Sequence, residues 1–369
     1  MIVKNETKVL DRLLRSVKEH IAYWVIVDTG STDGTQQFIR EWFAVAGIAG
    51  ELHERPWENF GHNRQQALEL AVASGRADWL LIIDADEELV VTESAALKSL
   101  QAGMNYRLEK KHGVLSYFLP ALVDLRESTW RWRAPVHEYL EQLSGPKNFT
   151  KLAGAHIRYY SGEGARSHGI SAEEKFLGDA RILKKHLKKH PEDARSQFYL
   201  ANSYKDAGHF DKAYEAYRSR CSMPGWVEEN FMARLWLGGM AIKLNKPDGQ
   251  VLDQMLEAHA YRPSRAEPLY ELARYYRLRK QYARAFVFAH SGSRISLPDD
   301  TLFVSQQVYQ WQMLDELGVS AYWAGAYEIS LQACDTILQR VSQGLSVPQA
   351  DLARIRQNRQ YSVDKVKGA

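Results

Sequence analysis

Two carboxylate clusters stand at the ends of short apolar runs. Asp28-Thr29-Gly30-Ser31, continued by Thr32-Asp33-Gly34-Thr35, follows Tyr23-Trp24-Val25-Ile26-Val27. Asp84-Ala85-Asp86 follows Leu80-Leu81-Ile82-Ile83 in the same way. Runs this short, with β-branched residues and turn signals behind them, predict strands buried on both faces. Parallel strands that end in acids bring those acids to one sheet edge, the crevice where open α/β sheets bind ligands. Carboxylates gathered there would repel a bare phosphate, so the expected guest is a divalent cation carrying a phosphorylated ligand. A lone Asp-x-Asp is ordinarily a solvated turn. Asp28 at a neighbouring strand end tips the reading toward chemistry.

Three other acidic chemistries fit less well. Asp-Thr-Gly-Ser resembles an aspartic-protease loop, but that dyad needs a second Asp-Thr-Gly or a dimer, and here a helix follows the first. Asp84–Glu88 could open an EF-hand loop, yet Leu89 stands where that loop needs glycine. A haloacid-dehalogenase-type phosphatase also sets Asp-x-Asp after a buried strand, but Glu88 stands where its motif usually has a small hydroxyl or aliphatic residue.

Residues 1 to about 165 alternate apolar runs with helical spacing. Leu10, Leu13, Leu14, Val17 and Ile21 mark one helix, Phe38, Ile39 and Trp42 a second, and Ala67, Leu68, Ala71 and Val72 a third. This β-α-β-α-β order predicts a mostly parallel sheet with helices on both faces. Between about 113 and 160 the pattern turns to mixed strands and loops rich in Trp and Arg.

From about Ser171 the chain reads as helical and repetitive. Ala201, Gly238 and Ala273 recur at steps of 37 and 35 residues, close to the ~34 of a tetratricopeptide repeat. Small residues at such sites let paired helices approach, and Tyr199, Tyr204 and Tyr276 fill the space within repeats. A fourth unit is expected around Tyr322–Tyr327. An all-helical bundle without true repeats is the plainer alternative.

With 369 residues and a formal net charge of +3, the chain is long enough for two domains and gives no electrostatic case for nucleic acid. Cys221 and Cys334 offer no disulfide framework. No apolar stretch nears the ~20 residues needed to span a bilayer. Met1-Ile2-Val3 leads straight into charged residues and does not read as a signal peptide. The expected location is the cytoplasm.

Met1-Ile2-Val3-Lys4-Asn5-Glu6, Val27 through Thr35, Asn63-Arg64 and Asp84-Ala85-Asp86-Glu87 together resemble family 2 glycosyltransferases of the GT-A fold. The whole chain resembles the bacterial group that adds tetratricopeptide repeats, among them peptide S-glycosyltransferases. The resemblance implies a GT-A (nucleotide-diphospho-sugar transferase-like) α/β domain, expected over 1–168. An all-α tetratricopeptide-like solenoid is expected over 169–369. It also implies a nucleotide-sugar donor, expected to be UDP-linked, a Mn²⁺ or Mg²⁺ ion, and inversion at the anomeric carbon.

Matching motifs nominates Val3, Asn5, Glu6 and Asp28 for the nucleoside, Arg64 for the diphosphate, and Asp84 with Ala85 for ribose or sugar. Asp86 is nominated for the metal, and His156 resembles a histidine that completes metal coordination in many such enzymes. Relatives often carry two adjacent acids where this chain has Asp28-Thr29, and Asp33 suits a capping turn instead. Within Trp130–Glu138 an inverting displacement needs a proton acceptor opposite the leaving nucleotide. Glu138 is the first candidate base and His137 the second; an ion pair with Arg131 or Arg133 is the structural alternative for Glu138.

The expected activity is metal-dependent, inverting, hexosyltransferase-type sugar transfer to a polypeptide or glycan acceptor. The repeats are expected to hold the acceptor and to offer a surface for self-association. The alternative is a non-catalytic scaffold protein with a degenerate glycosyltransferase domain.

Overall fold

A computed structural model describes residues 1–112, 115–160, 162–165 and 169–368. The expected domain boundary at 168 lies outside the described residues. Two compact units emerge, residues 1–189 and 190–369, so the helix at 172–187 clusters with the first unit, whereas the sequence reading groups it with the repeats.

The first unit opens with a parallel three-stranded sheet of β1 (Ile2–Val3), β2 (Trp24–Asp28) and β3 (Gly50–Glu54), in the order β1-β2-β3. Central β2 is paired on both sides, as its unbroken apolar run requires, and Val27 is fully buried. Helix α1 (Thr7–Val17) buries Val9, Leu10, Leu13, Leu14 and Val17 on one face. It has no local side-chain cap. Asp33, from the turn after β2, supplies one by accepting from Thr7 N at 3.2 Å and Thr7 Oγ1 at 2.8 Å. Helices α2 (Thr35–Ala46) and α3 (Phe60–Ser74) follow, the latter capped by Asn59 Oδ1, which accepts from His62 N.

The second sheet joins β4 (Trp79–Leu81), β5 (Glu87–Val91), β6 (Asn105–His112), β7 (Leu115–Asp124) and β10 (Phe149–Tyr159) in the order β4-β7-β6-β10-β5. A hairpin of β8 (Thr129–Arg133) and β9 (Tyr139–Ser144) stands apart from it, and α4 (Ala172–Leu187) ends the unit. The apolar run 80–83 does not form the expected parallel strand buried on both faces. β4 is an edge strand, antiparallel to β7 and half-buried. After Leu81 the chain turns, with Glu87 N donating to Asp84 O, so the acids leave the strand direction early.

The second unit is a run of antiparallel helices from α5 (Ala194–Asp206) and α6 (Phe210–Cys221) through α7 (Val227–Lys243), α8 (Asp248–Tyr261), α9 (Glu267–Leu278) and α10 (Tyr282–Gly292). It ends with α11 (Met313–Trp323), α12 (Tyr327–Ser342) and α13 (Gln349–Lys367). Ala201 and Ala273 are fully buried, and a side chain at Gly238 would press on Met255 of α8. The long α10–α11 connection is pinned by Arg265, which is fully buried and pairs with Glu267 at 2.9 Å and Asp300 at 3.2 Å.

Candidate active site

The Asp84–Glu87 turn forms one wall of a cleft of about 420 Å³ in the first unit. Glu87, 2% exposed, shapes the turn: its Oε2 accepts from Asp84 N at 3.0 Å, and its other oxygen pairs with Lys110 of β6. Opposite lies Arg64, on the second turn of α3. Its Nη2 donates to both Asp84 oxygens, at 2.7 and 2.9 Å, while its Nε donates to Glu138 Oε1 at 2.7 Å. The Trp132 ring lies 5.2 Å from the guanidinium carbon.

The third wall is the loop between β8 and β9. Ala134 and His137 both adopt left-handed backbone, φ 66° and 52°, a conformation that non-glycine residues hold only where surroundings enforce it. Here α3 enforces it. Phe60 N donates to Pro135 O at 3.1 Å, and Gly61 lies so close that a Cβ would overlap the Ala134 carbonyl oxygen. Helix start and loop are one packed piece, with His137 and Glu138 facing the cleft.

The charges interact strongly. Burial pushes the Asp84 carboxyl up, but Arg64 and then Lys110 outweigh it and hold it below the usual carboxylate range. Asp86 is raised, first by burial and then by the Asp84 charge. Burial, with the nearby Asp86, Asp33 and Asp84 charges, lifts Glu6 to about 7, against a hydrogen bond from Ala165 N that favours ionisation. Asp86 forms no ion pair among the described residues, and no group of three or more metal-ligating side chains is present among them. What Asp86 and Glu6 offer is a pair of carboxylates whose ionised forms are disfavoured first by burial and then by neighbouring acids. That suits Mg²⁺ or Mn²⁺ bound through one or two carboxylates plus substrate phosphates, not an all-protein cage.

Residues 1–92 match the model of glycosyl transferase family 2. That stretch is similar to glycosyl transferase family 2 domains. The chain is also 30% identical over 209 residues to a TPR repeat-containing protein of Synechococcus elongatus. That match covers 53% of this chain and 48% of the relative, so the chain spans about half the length of the relative it matches. Among solved structures, a crystal structure of MamA is similar with 18% identity and a TM-score of 0.38, covering 48% of this chain and 90% of that one. YrrB, described as a TPR protein with an unusual peptide-binding site, is similar with 13% identity and a TM-score of 0.34, covering 53% and 84%.

Within the residues that match the family and the strands that follow them, the cleft brings together Glu6, Arg64, Asp84, Ala85, Asp86, His137 and Glu138. Val3, Asn5, Asp28 and His156 do not line it. Asp28 is fully buried; its Oδ1 accepts from Gly30 N, Ser31 N and the Gln36 side chain and so builds the turn, while its Oδ2 has no hydrogen-bond partner among the described residues. Asn5 likewise ties β1 to that turn, accepting from Thr32 N at 2.7 Å, and Val3 is a core residue. His156 lies within β10 opposite Val90 and Glu109, and burial, Lys111 and Arg158 lower its pKa. Glu138 pairs with Arg64, whereas Arg133 pairs with Glu141. Phe60, Lys110, Tyr117 and Tyr159 also line the cleft without any sequence motif marking them.

Proposed function

We propose that the first unit transfers a sugar from a nucleotide-sugar donor, UDP-linked as the first candidate, to a polypeptide or glycan acceptor with inversion. The observation that carries this reading is Arg64 held between Asp84 and Glu138, a guanidinium suited to phosphate oxygens set between acids of two separate loops. The acceptor heteroatom attacks the anomeric carbon while the bond from that carbon to the diphosphate oxygen breaks. The bond's electron pair leaves with the nucleotide, and the acceptor's proton passes to the Glu138 carboxylate, or to His137 beside it.

Arg64 stabilises the departing diphosphate, and its bond to Glu138 fixes that carboxylate's orientation. Asp86 and Glu6 would hold a divalent cation, which would supply Lewis-acid stabilisation of the leaving group. The second unit holds the acceptor: solenoids present extended surfaces suited to chains. No described helix is long and apolar enough to cross a membrane.

Donor hydrolysis by the full chain, screened across UDP-, GDP- and CDP-sugars with and without Mn²⁺, tests the reading. Release of nucleotide from one donor class supports it. Nucleotide binding without turnover or transfer in any pairing would instead favour a scaffold with a degenerate catalytic domain.

A further inference from the structure

Lys110 lies beyond the residues that match the family and belongs to no motif, yet its side chain enters the cleft. It stands on β6 in the second sheet, flanked by Tyr117 of β7 and Ile157 of β10. Its Nζ pairs with Glu87, the Lys110 side chain being 18% exposed and that of Glu87 only 2%. The Tyr159 ring centre lies 5.6 Å from Nζ.

The cleft holds five carboxylates, Glu6, Asp84, Asp86, Glu87 and Glu138, against the cations Arg64, Lys110 and Lys175. A diphosphate adds negative charge to this surplus. Arg64 already satisfies two carboxylates. An ammonium, by contrast, carries three donors. With one donor directed at Glu87, Lys110 keeps capacity for phosphate oxygens on the same wall as Asp84.

We propose that Lys110 is a phosphate-binding residue of this cleft, held at its sheet wall by Glu87 so that it donates to the diphosphate of the donor. The proposal rests on the glycosyltransferase reading for the origin of the diphosphate. The competing explanation is compensation alone: Lys110 would be there only to neutralise a buried Glu87.

Calorimetry on the full-length protein separates them, with UDP, uridine and inorganic pyrophosphate as probes in Mn²⁺. Lys110→Met should weaken UDP and pyrophosphate about tenfold or more, the scale of a lost charge-assisted hydrogen bond, and leave uridine unchanged. Lys110→Arg should recover part of the loss. The double variant Lys110→Met, Glu87→Gln removes both charges and keeps an acceptor for Asp84 N, so a misfolded single variant does not end the test. Phosphate binding requires the double variant to stay weak. Recovery of wild-type UDP affinity in it, or equal loss for uridine, overturns the proposal. If wild type binds pyrophosphate through Lys110 but no nucleoside diphosphate, the glycosyltransferase reading fails while Lys110 stands. If wild type binds UDP and Lys110→Met changes nothing, the reverse holds. If no probe binds wild type, both fall.

Discussion

Arg64 Nε donates to Glu138 Oε1 at 2.7 Å across 74 residues of sequence. A candidate base and a candidate diphosphate ligand are therefore one ion pair, with side chains 13% and 14% exposed. Replacing Glu138 by Gln keeps the shape and removes the proton acceptor. Transfer should fall on the order of 10²-fold or more while donor binding survives. Single-turnover assays of Glu138→Gln check this, and wild-type turnover would hand the role to His137.

Asp86→Ala should abolish the Mn²⁺-dependent part of UDP binding without lowering the melting temperature, because Asp86 forms no ion pair among the described residues. Titration calorimetry with and without Mn²⁺ reads it directly. An unchanged metal increment in the variant rules Asp86 out as a ligand.

Stability should vary with pH through Glu6. Its folded-state pKa of about 7 lies above the ordinary 4.5, so between those values the folded chain keeps a proton that the unfolded chain has released. The neutral carboxyl's contribution is fully present below the ordinary value and is lost as pH rises through the folded one. Glu87, also lifted to about 7 by burial and Asp84, acts in the same direction. Melting curves from pH 4.5 to 8 should show this decline, and Glu6→Gln should flatten it. A variant with the same slope as wild type removes Glu6 from the account.

Gly61→Ala sets two effects against each other. Ala in a helix is worth about 0.5–1 kcal/mol over Gly, but its Cβ would overlap the Ala134 carbonyl oxygen, a backbone atom. Overpacking of this kind costs about 1–3 kcal/mol, so net destabilisation is expected, together with a drop in transfer. Equilibrium denaturation and the Glu138-dependent assay measure both.

In the second unit, Arg265→Met should cost about 3 kcal/mol or more, because it leaves the buried Glu267 without its cationic partner, while Asp300 keeps Arg262. Urea denaturation checks it. A loss under 1 kcal/mol would mean that the α10–α11 connection is held by other contacts.

What sequence alone reveals follows chain locality. The apolar run before Asp28 identifies β2, and the spacing of Leu10, Leu13, Leu14 and Val17 identifies the buried face of α1. Ala201, Gly238 and Ala273 mark the repeat period because small residues are needed wherever helices approach. Motif order finds Arg64 and Asp84, but spacing cannot show that Arg64 also grips Glu138. The run 80–83 misleads because apolar character does not distinguish a central parallel strand from an edge strand packed on one face. Asp28 is legible only in part: Oδ1 holds its own turn, while Oδ2 is buried without a hydrogen-bond partner among the described residues, and spacing cannot tell the two apart. Lys110 stays hidden in Glu109-Lys110-Lys111, where a solvated charge run and one inward lysine look alike.

The contact between Gly61 and the Ala134 carbonyl also has a thermodynamic consequence. Arg64 sits one turn beyond Gly61 on the same helix and donates directly to Glu138, so a ligand that displaces the guanidinium also breaks its bond to the loop that carries His137 and Glu138. Two ligands, one at Arg64 and one at that loop, must then report on each other's occupancy. Linkage makes the report reciprocal: the factor by which the first changes the affinity of the second equals the factor in the other direction.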